Sequence, residues 1–268
     1  MAEPKRTLDL LWRRDPAGDA ARRGRKQGLS VDRVVAAAIE LADAEGLDAL
    51  TMRRVAQQLT VVPMTLYTYV PDKAALLDLM LDAVYAGMPR PEQSALPWRE
   101  RLAAVAAANR ALYDRHPWAA GLSAARPPLG PGLMAKYEHE LRAFHDVGLD
   151  DVETDAALTF LLGFVQAAAR AAADARAEAE RTAQSDVQWW ESNGPLLAMI
   201  FDKHTYPTAT RIGAAAGAAL GGAYNPDHAY EFGLQRVLDG LGVLVERRAA
   251  TVTDTAAPGS AGDVGSDS

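Results

Sequence analysis

Side chains that can donate hydrogen bonds occur close together in the stretch VPMTLYTYVPDK, residues 62–73. Thr65 and Tyr67 carry hydroxyl groups, and Lys73 carries an ammonium group. Donors of this kind bind phosphate oxygens, and the charged one forms the strongest bond. The chemistry of the stretch therefore favours contacts with a nucleic-acid backbone.

The chain offers little for covalent catalysis. It has no cysteine, which excludes thiolate nucleophiles, disulfides and cysteine-ligated metal sites. The HExxH and GxSxG motifs and a phosphate-binding glycine loop are all missing from the sequence. His139 and His145 are six residues apart, which puts them on different faces of a helix. We therefore expect neither an enzyme nor a bound cofactor or metal.

Charge is distributed unevenly along the chain. Its net charge is −7, yet residues 1–73 carry 12 Lys and Arg against 10 Asp and Glu. Residues 20–31, AARRGRKQGLSV, have four positive charges and no acid. An acidic body with one basic arm would repel DNA everywhere except near that arm.

Residues 30–85 have the pattern of several short helices. Ser30 can cap a first amphipathic helix that stops at Gly46, and Thr51 can cap a second. The turn Thr60-Val61 follows, and Pro63 suits the first position of a third helix. Pro71 then ends that helix and a longer one begins at Lys73. Helix, short helix, tight turn and short helix is the helix-turn-helix arrangement.

The remainder of the chain predicts helices and no long strand. We expect four regions: a flexible basic extension over residues 1–28, the helix-turn-helix domain over 29–87, a larger helical domain over 95–249, and a disordered tail over 250–268. The first region lacks the apolar core of a signal peptide, which favours the cytoplasm. Residues 156–173 are apolar, but they contain Gln166 and Arg170, so a helix buried in a protein interface is favoured over a membrane span.

Residues 31–85 resemble the DNA-binding domain of the tetracycline-repressor (TetR) family of bacterial regulators. The resemblance rests on ADAEGLDALTMRRVAQQL, on the Thr60-Val61 turn, and above all on TLYTYVPDKAALL. It implies an all-α protein with an N-terminal three-helix DNA-binding domain and a larger helical domain for ligand binding and dimerisation. It also implies that Thr51 and Arg53 reach the DNA, with Arg53 placed to read a guanine edge.

The residues expected at the DNA extend beyond those two. Thr65 and Tyr67 should face outward, and Tyr69 lies either at the core rim or on a phosphate. At the tip of the third helix, three apolar side chains can pack on thymine methyl groups. The expected DNA-binding residues are Thr51, Arg53, Val62, Pro63, Met64, Thr65, Tyr67, Tyr69, Lys73 and, from the arm, Arg25.

Three features depart from the family or leave alternatives open. Family members usually have Gly where Thr60 stands, which suggests a strained turn or one without a positive φ. Val62 cannot cap the third helix as a polar residue would. The basic arm either lies in the minor groove or is a solubilising extension.

The larger domain should form a homodimer on double-stranded operator DNA, because one small reading domain makes too few contacts alone. Apolar stripes at residues 158–169 and 232–244 either pack against a second subunit or form the core of one chain. A small hydrophobic ligand, of unknown identity, could bind among apolar side chains with a few polar groups. The candidates are Asn109, Tyr113, His116, Trp118, Met134, Tyr137, Phe160, Phe164 and Trp189.

The sequence thus predicts a cytoplasmic, homodimeric transcriptional repressor with no membrane partner, which a small apolar molecule releases from a palindromic operator. A DNA-binding regulator that responds to a protein partner, with no small ligand, is the alternative. The histidine that tetracycline repressors use has no counterpart here, because Pro89 lies in that region. A magnesium–tetracycline ligand is therefore not expected.

Overall fold

The computed structural model describes residues 4–13, 28–122, 126–222 and 224–255, and every regular element within those ranges is an α-helix. The all-α class is confirmed. In chain order the helices are α1 (Pro4–Leu11), α2 (Val31–Ala49), α3 (Met52–Gln58), α4 (Pro63–Tyr69), α5 (Lys73–Ala86), α6 (Trp98–Arg115), α7 (Pro117–Ala120), α8 (Pro131–Arg142), α9 (Asp151–Thr182), α10 (Asp186–Ile200), α11 (Pro207–Leu220) and α12 (Pro226–Thr255).

The caps expected around the helix-turn-helix are confirmed. The Ser30 hydroxyl accepts from the backbone N–H of Arg33, and the Thr51 hydroxyl accepts from that of Arg54, each at 3.2 Å. The Asp72 carboxylate likewise caps α5. Gly46 has non-helical backbone angles (φ 79°, ψ 173°), so the first helix is interrupted there as expected, and a further helical turn follows to Ala49.

An apolar core joins α2, α3, α4 and α5. Leu66 and Val70 are fully buried, as are Val55 of α3 and Met80 of α5. Burial of side chains of this size stabilises a fold by about 1.5–3 kcal/mol each. This packing holds α3 and α4 at a set angle and leaves their other faces to solvent.

The N-terminal region contains a helix, so the expectation of a flexible extension over residues 1–28 is wrong for residues 4–11. Pro4 begins α1, where a missing N–H costs nothing. Leu11 is buried against α5, and the Trp12 Nε1 donates to the carbonyl of Leu129 at 2.7 Å. This packing outweighs the helix breakers that follow. The basic stretch from Arg22 to Lys26 lies outside the described residues.

The larger domain is built on α9, which packs against α6, α7, α8 and α12. The stripe at Leu158, Leu161 and Val165 is buried within the one chain, and so are Leu238 and Leu241 of α12. These two stripes therefore form mostly intramolecular core. By length and composition α9 could also cross a membrane, which is weak evidence because core helices pass the same test.

Two regions near the C-terminus differ from expectation. Helix α10 continues through Pro195, although a proline inside a helix usually breaks it. Helix α12 extends to Thr255, so the tail expected to be disordered from residue 250 is helical over its first six residues. The remainder, residues 256–268, lies outside the described part of the chain.

Candidate DNA interface and ligand cavity

The turn between α3 and α4 contains a strained residue. Thr60 has φ 57°, in the left-handed region that glycine adopts without cost. A β-branched side chain there is an outlier, worth about 1–2 kcal/mol of strain. The sequence left open whether the turn avoids a positive φ, and the structure shows that it does not.

The tip of α4 presents apolar side chains to solvent. Val62 is 66% exposed and Met64 is 75% exposed, while Pro63 occupies the first helical turn. Val62 makes no side-chain cap, so the backbone N–H groups at this end have no side-chain acceptor from it. Exposed apolar groups beside such N–H donors suit a surface that meets a DNA groove.

The donors of α4 divide by helical face. Tyr67 is 42% exposed, whereas Tyr69 is partly buried against the core beside the fully buried Val70. Thr65, which was expected to face outward, is half-buried. Of the tyrosines, Tyr67 is therefore the one free to meet a phosphate, and Tyr69 lies at the core rim.

Two neighbouring arginines of α3 are in different situations. Arg54 donates two hydrogen bonds of 2.6 Å to the carboxylate of Glu45, which holds its guanidinium on α2. Arg53 is exposed and makes no ion pair or side-chain hydrogen bond with any described residue. Arg53 therefore keeps all five guanidinium N–H donors for a partner.

Two cations lie near the C-terminal end of α4, the helix expected to read the DNA groove. The Lys73 Nζ donates to the carbonyl of Leu47 at 3.3 Å, where α2 resumes after its kink. Arg6 of α1 donates to the carbonyl oxygen of Tyr67, near the same end of α4, at 3.4 Å. Sequence patterns did not single out Arg6, because the helix that positions it was not expected. Arg25 lies outside the described residues.

The larger domain contains a cavity of about 270 Å³ between α5, α6, α8 and α9. Most of its lining is apolar, and the polar exceptions are Lys136, Thr159, Gln166 and three tyrosines. Two of those tyrosines, Tyr113 and Tyr137, were expected from the sequence. The other lining residues are Leu81, Tyr85, Ala119, Leu122, Pro127, Leu133, Leu158, Leu162 and Gly163.

One lining residue, Lys136, belongs to a buried ion pair. The Lys136 Nζ donates to Glu140 Oε2 at 2.7 Å, and the side chains are 7% and 4% exposed. The other carboxylate oxygen, Oε1, accepts from the amide of Asn109 at 2.6 Å. Burial lowers the pKa of Lys136, and the charge of Glu140 opposes that shift. Asn109 thus acts one layer behind the cavity.

Other residues expected at a ligand lie elsewhere. His116 and Trp118 both hydrogen-bond to Asp43 Oδ1 of α2, at 2.8 and 2.6 Å, so they join the two domains. Phe164 stacks on Tyr230 with ring centroids 5.8 Å apart. The remaining candidates are exposed on the surface of the chain, away from the cavity: Met134, Phe160 and Trp189.

The sequence did not predict Lys136 or Tyr85 as lining residues of the cavity. The one signal for Lys136 is its position four residues before Glu140, and that spacing is ordinary on exposed helices. Tyr85 had no such signal. Among the described residues, no group of three metal-ligating side chains occurs.

Asp82 of α5 connects the two domains through the start of α8. Its buried carboxylate accepts from the backbone N–H of Leu133 at 2.8 Å. Burial raises the pKa of Asp82, and the N–H groups of Leu133 and Gly132 oppose that shift. Gly130, the N-cap of α8, offers no side-chain cap, so Asp82 supplies one from another helix.

Glycines permit this close approach. A Cβ at Gly130 would lie 2.4 Å from the Asp82 carboxylate, and one at Gly132 would lie 2.0 Å from the Asp82 carbonyl oxygen. Both distances are far below contact. The cavity helix α8 is therefore pressed directly on α5, which continues into the helix-turn-helix.

Two family models match the chain. Residues 34–80 match "Bacterial regulatory proteins, tetR family", and residues 89–245 match "Tetracyclin repressor-like, C-terminal domain". Together they cover both helical domains.

Similar proteins occur among curated relatives and solved structures. The chain is 40% identical over 245 residues to the HTH-type transcriptional repressor DrrR1 of Streptomyces coeruleorubidus, covering 91% of this chain and 87% of the relative. It is 27% identical over 218 residues to the class C tetracycline repressor protein of Escherichia coli, covering 80% and 90%. Apo ActR from Streptomyces coelicolor superposes with a TM-score of 0.67 at 28% identity, covering 83% and 99%. ActR in complex with actinorhodin gives a TM-score of 0.66 at 28% identity, covering 81% and 99%.

Proposed function

The chain belongs to the TetR family of DNA-binding transcriptional regulators, which are not enzymes, and on that premise we propose that it is a cytoplasmic repressor that binds a palindromic operator as a homodimer. A small, largely apolar molecule enters the cavity and releases the protein from DNA. The observation that carries the proposal is the exposed face formed by Arg53, Tyr67 and the apolar tip of α4, backed by a fully packed core.

A band shift with the DNA upstream of the protein's own gene tests the interface. Arg53→Ala should weaken binding by about 1–3 kcal/mol if the arginine reads a guanine. Tyr67→Phe removes one hydroxyl donor and should cost about 0.5–1.5 kcal/mol. Arg54→Ala is the matched control, because that guanidinium is already paired with Glu45.

Two outcomes of this experiment would contradict the proposed DNA interface. If Arg53→Ala and Tyr67→Phe bind the operator as tightly as the parent, α3 and α4 do not read the DNA in the way proposed. If Arg54→Ala weakens binding as much as Arg53→Ala, the effect reflects a general decrease in positive charge.

The basic arm is proposed to bind phosphates or the minor groove. Deleting residues 1–27 would also remove α1 and its packing on α5, so substitution is the cleaner test. Replacing Arg22, Arg23, Arg25 and Lys26 with Gln should flatten the dependence of log affinity on log salt by up to about 0.9 for each phosphate that the arm no longer neutralises. An unchanged slope means that the arm is a solubilising extension.

Ligand control rests on the cavity and on the joint between α8 and α5. A molecule that enters the cavity contacts α8, and α8 begins on Asp82 of α5. Any shift of α8 is thereby passed to the helix that leads into the reading domain. The ligand favours one arrangement of α8 and α5. It thereby changes the separation of the two α4 helices of the dimer from the roughly 34–36 Å that successive major grooves require.

Similar proteins of known structure support a small molecule over a protein partner. Solved structures of ActR contain actinorhodin and (S)-DNPA, and the DrrR1 relative is a transcriptional repressor. A mostly apolar cavity in this chain is the matching feature. A regulator controlled by a protein alone has no use for such a space.

A homodimer is supported by apolar surface that one chain leaves uncovered. Phe160 of α9 and Phe232 of α12 are each 58% exposed. Helices α10 and α11 have no buried residue, and Met199 and Ile200 are more than four-fifths exposed. Exposed apolar side chains in this number are typical of a subunit interface.

A further inference from the structure

Hydrogen-bond donors face the cavity from one wall. Lys136 has three N–H donors, and Glu140 is the one described residue whose side chain accepts from it. The ammonium also lies over the ring of Tyr85, with the Nζ 5.2 Å from the centroid. Donor capacity therefore remains on a lysine that is almost wholly buried.

Two phenol groups extend this wall. Burial raises the pKa of Tyr113 to about 12 and that of Tyr85 further still, and the charge of Glu140 acts in the same direction. Both hydroxyls are thus protonated at neutral pH and able to donate. No described residue accepts a hydrogen bond from either one, and both tyrosines line the cavity.

The charge of the wall is already balanced. Lys136 and Glu140 neutralise each other, and Asn109 satisfies the second carboxylate oxygen. A ligand with a full negative charge would bring an uncompensated charge into this apolar space, which is costly. An uncharged oxygen acceptor avoids that cost and still uses the free donors.

We propose that the cavity binds an uncharged, largely apolar molecule with carbonyl oxygens on one edge, which Lys136, Tyr85 and Tyr113 hold by hydrogen bonds. This rests on the ligand-controlled regulator proposed above and names its class of ligand. Glu140 sets the charge preference of the site, because it cancels the charge of Lys136.

Three ring compounds of one shape test the proposal. These are fluorene, which lacks an acceptor, 9-fluorenone, which has one ketone, and 9-fluorenone-2-carboxylate, which adds a charge. Equilibrium dialysis with the full chain should show the ketone binding about tenfold more tightly than the hydrocarbon, as one or two hydrogen bonds from this wall require. The carboxylate should bind more weakly than the ketone.

Variants assign the preference to named groups. Lys136→Met and Tyr113→Phe should each reduce the tenfold preference for the ketone about threefold, because each removes one of the donors. Glu140→Gln leaves the ammonium uncompensated and should reverse the order, so that the carboxylate binds more tightly than the ketone. Lys203→Met, at an exposed lysine, is the matched control and should change nothing.

Further measurements distinguish a loss of ligand selectivity from a loss of the folded state. The double variant Lys136→Met/Glu140→Gln removes both charges at once, and circular dichroism and operator binding of every variant show whether the fold survives. The double variant should prefer the ketone over the hydrocarbon no more strongly than Lys136→Met does.

Three results would each overturn the proposal: the parent binds fluorene and 9-fluorenone equally, it binds none of the three compounds, or Glu140→Gln keeps the original order. If the parent still binds its operator in any of these cases, the proposed function as a DNA-binding regulator is unaffected. If instead the parent binds no operator while the ketone preference depends on Lys136, the proposed function is wrong and the proposed ligand site is supported.

Discussion

At the scale of single residues, DNA contact depends on which side chains the core leaves free. Arg53 and Arg54 are adjacent and chemically identical, yet only Arg54 finds a described carboxylate within reach. Tyr67 and Tyr69 are two residues apart, and only Tyr67 is on the open face. The strain at Thr60 shows the same principle, because core packing on both sides holds a residue in a conformation that its side chain disfavours.

The exposed tip of α4 predicts that thymine methyl groups lie under Val62 and Met64. Replacing those thymines with uracil removes only the methyl group and should weaken binding by about 0.8 kcal/mol for each methyl that is buried. Band-shift titrations with the modified duplexes measure this decrease. Uracil should weaken the binding of the parent, but it should weaken the binding of Met64→Ala much less, because that variant already lacks the side chain that contacts the methyl group. The four affinities together form a double-mutant cycle that isolates this contact. Equal affinity of the parent for both duplexes would show that the tip reads no methyl group.

At the scale of elements, the joint between α5 and α8 is the feature that relates the two domains. Helix α8 has no side-chain cap of its own, and the Asp82 carboxylate of α5 caps it instead. Gly130 and Gly132 allow the two backbones to approach closely. A second connection runs from Asp43 of α2 to His116 and Trp118. These contacts join the helix-turn-helix domain to the larger domain through α5 and α8 and through α2 and α7.

Gly132→Ala should loosen the first of these attachments. The added Cβ would lie 2.0 Å from the Asp82 carbonyl oxygen, so α8 must move away from α5. Overpacking of this kind costs about 1–3 kcal/mol, measured as a lower free energy of unfolding in urea. Ligand should also become less able to release the operator in the band shift.

The control for this joint is Gly87→Ala at the end of α5. A Cβ there meets its nearest atom at 3.6 Å, and φ is −77°, so alanine fits. That variant should be as stable as the parent or gain about 0.4–1 kcal/mol. If Gly132→Ala is equally stable, the close approach of the two helices is not a constraint.

At the scale of the whole molecule, one chain leaves much apolar surface unused. Helices α10 and α11 bury no residue within the described part of the chain, although they carry many apolar side chains. The exposed faces of α9 and α12 add two phenylalanines. A second copy is the simplest partner that covers all of this surface, and it also supplies the second reading helix.

Phe160→Asp should therefore dissociate the dimer. Burying a carboxylate in the apolar interface is unfavourable, and sedimentation velocity should show the monomer. Operator affinity should fall by more than about tenfold, since a monomer reads only one half-site. Leu96→Asp, at an exposed leucine just before α6, should change neither. A Phe160→Asp protein that sediments as the parent does would place the interface on another face.

Local rules were enough to predict the helices, their caps and the reading motif from the sequence, because the side chains that cap a helix or end it are near in the chain. The amphipathic periods of α2, α5, α6 and α9 and the turn before Pro63 were predicted for this reason. Helix α1 and the start of the tail were not, because packing on α5 and the continuation of α12 outweigh local helix breakers.

The tertiary structure alone decided which residues line the cavity and how α5 and α8 meet at Asp82. It also decided which side chains of each apolar stripe are buried within the chain. Lys136 and Tyr85 come together from separate helices, and Leu158 turns inward where the sequence allowed either face. Apolar periodicity shows that a helix has a buried face but cannot show whether the same chain or a second copy covers it. Which polar groups meet inside depends on how helices distant in sequence pack, and that information is held in no single stretch of the chain.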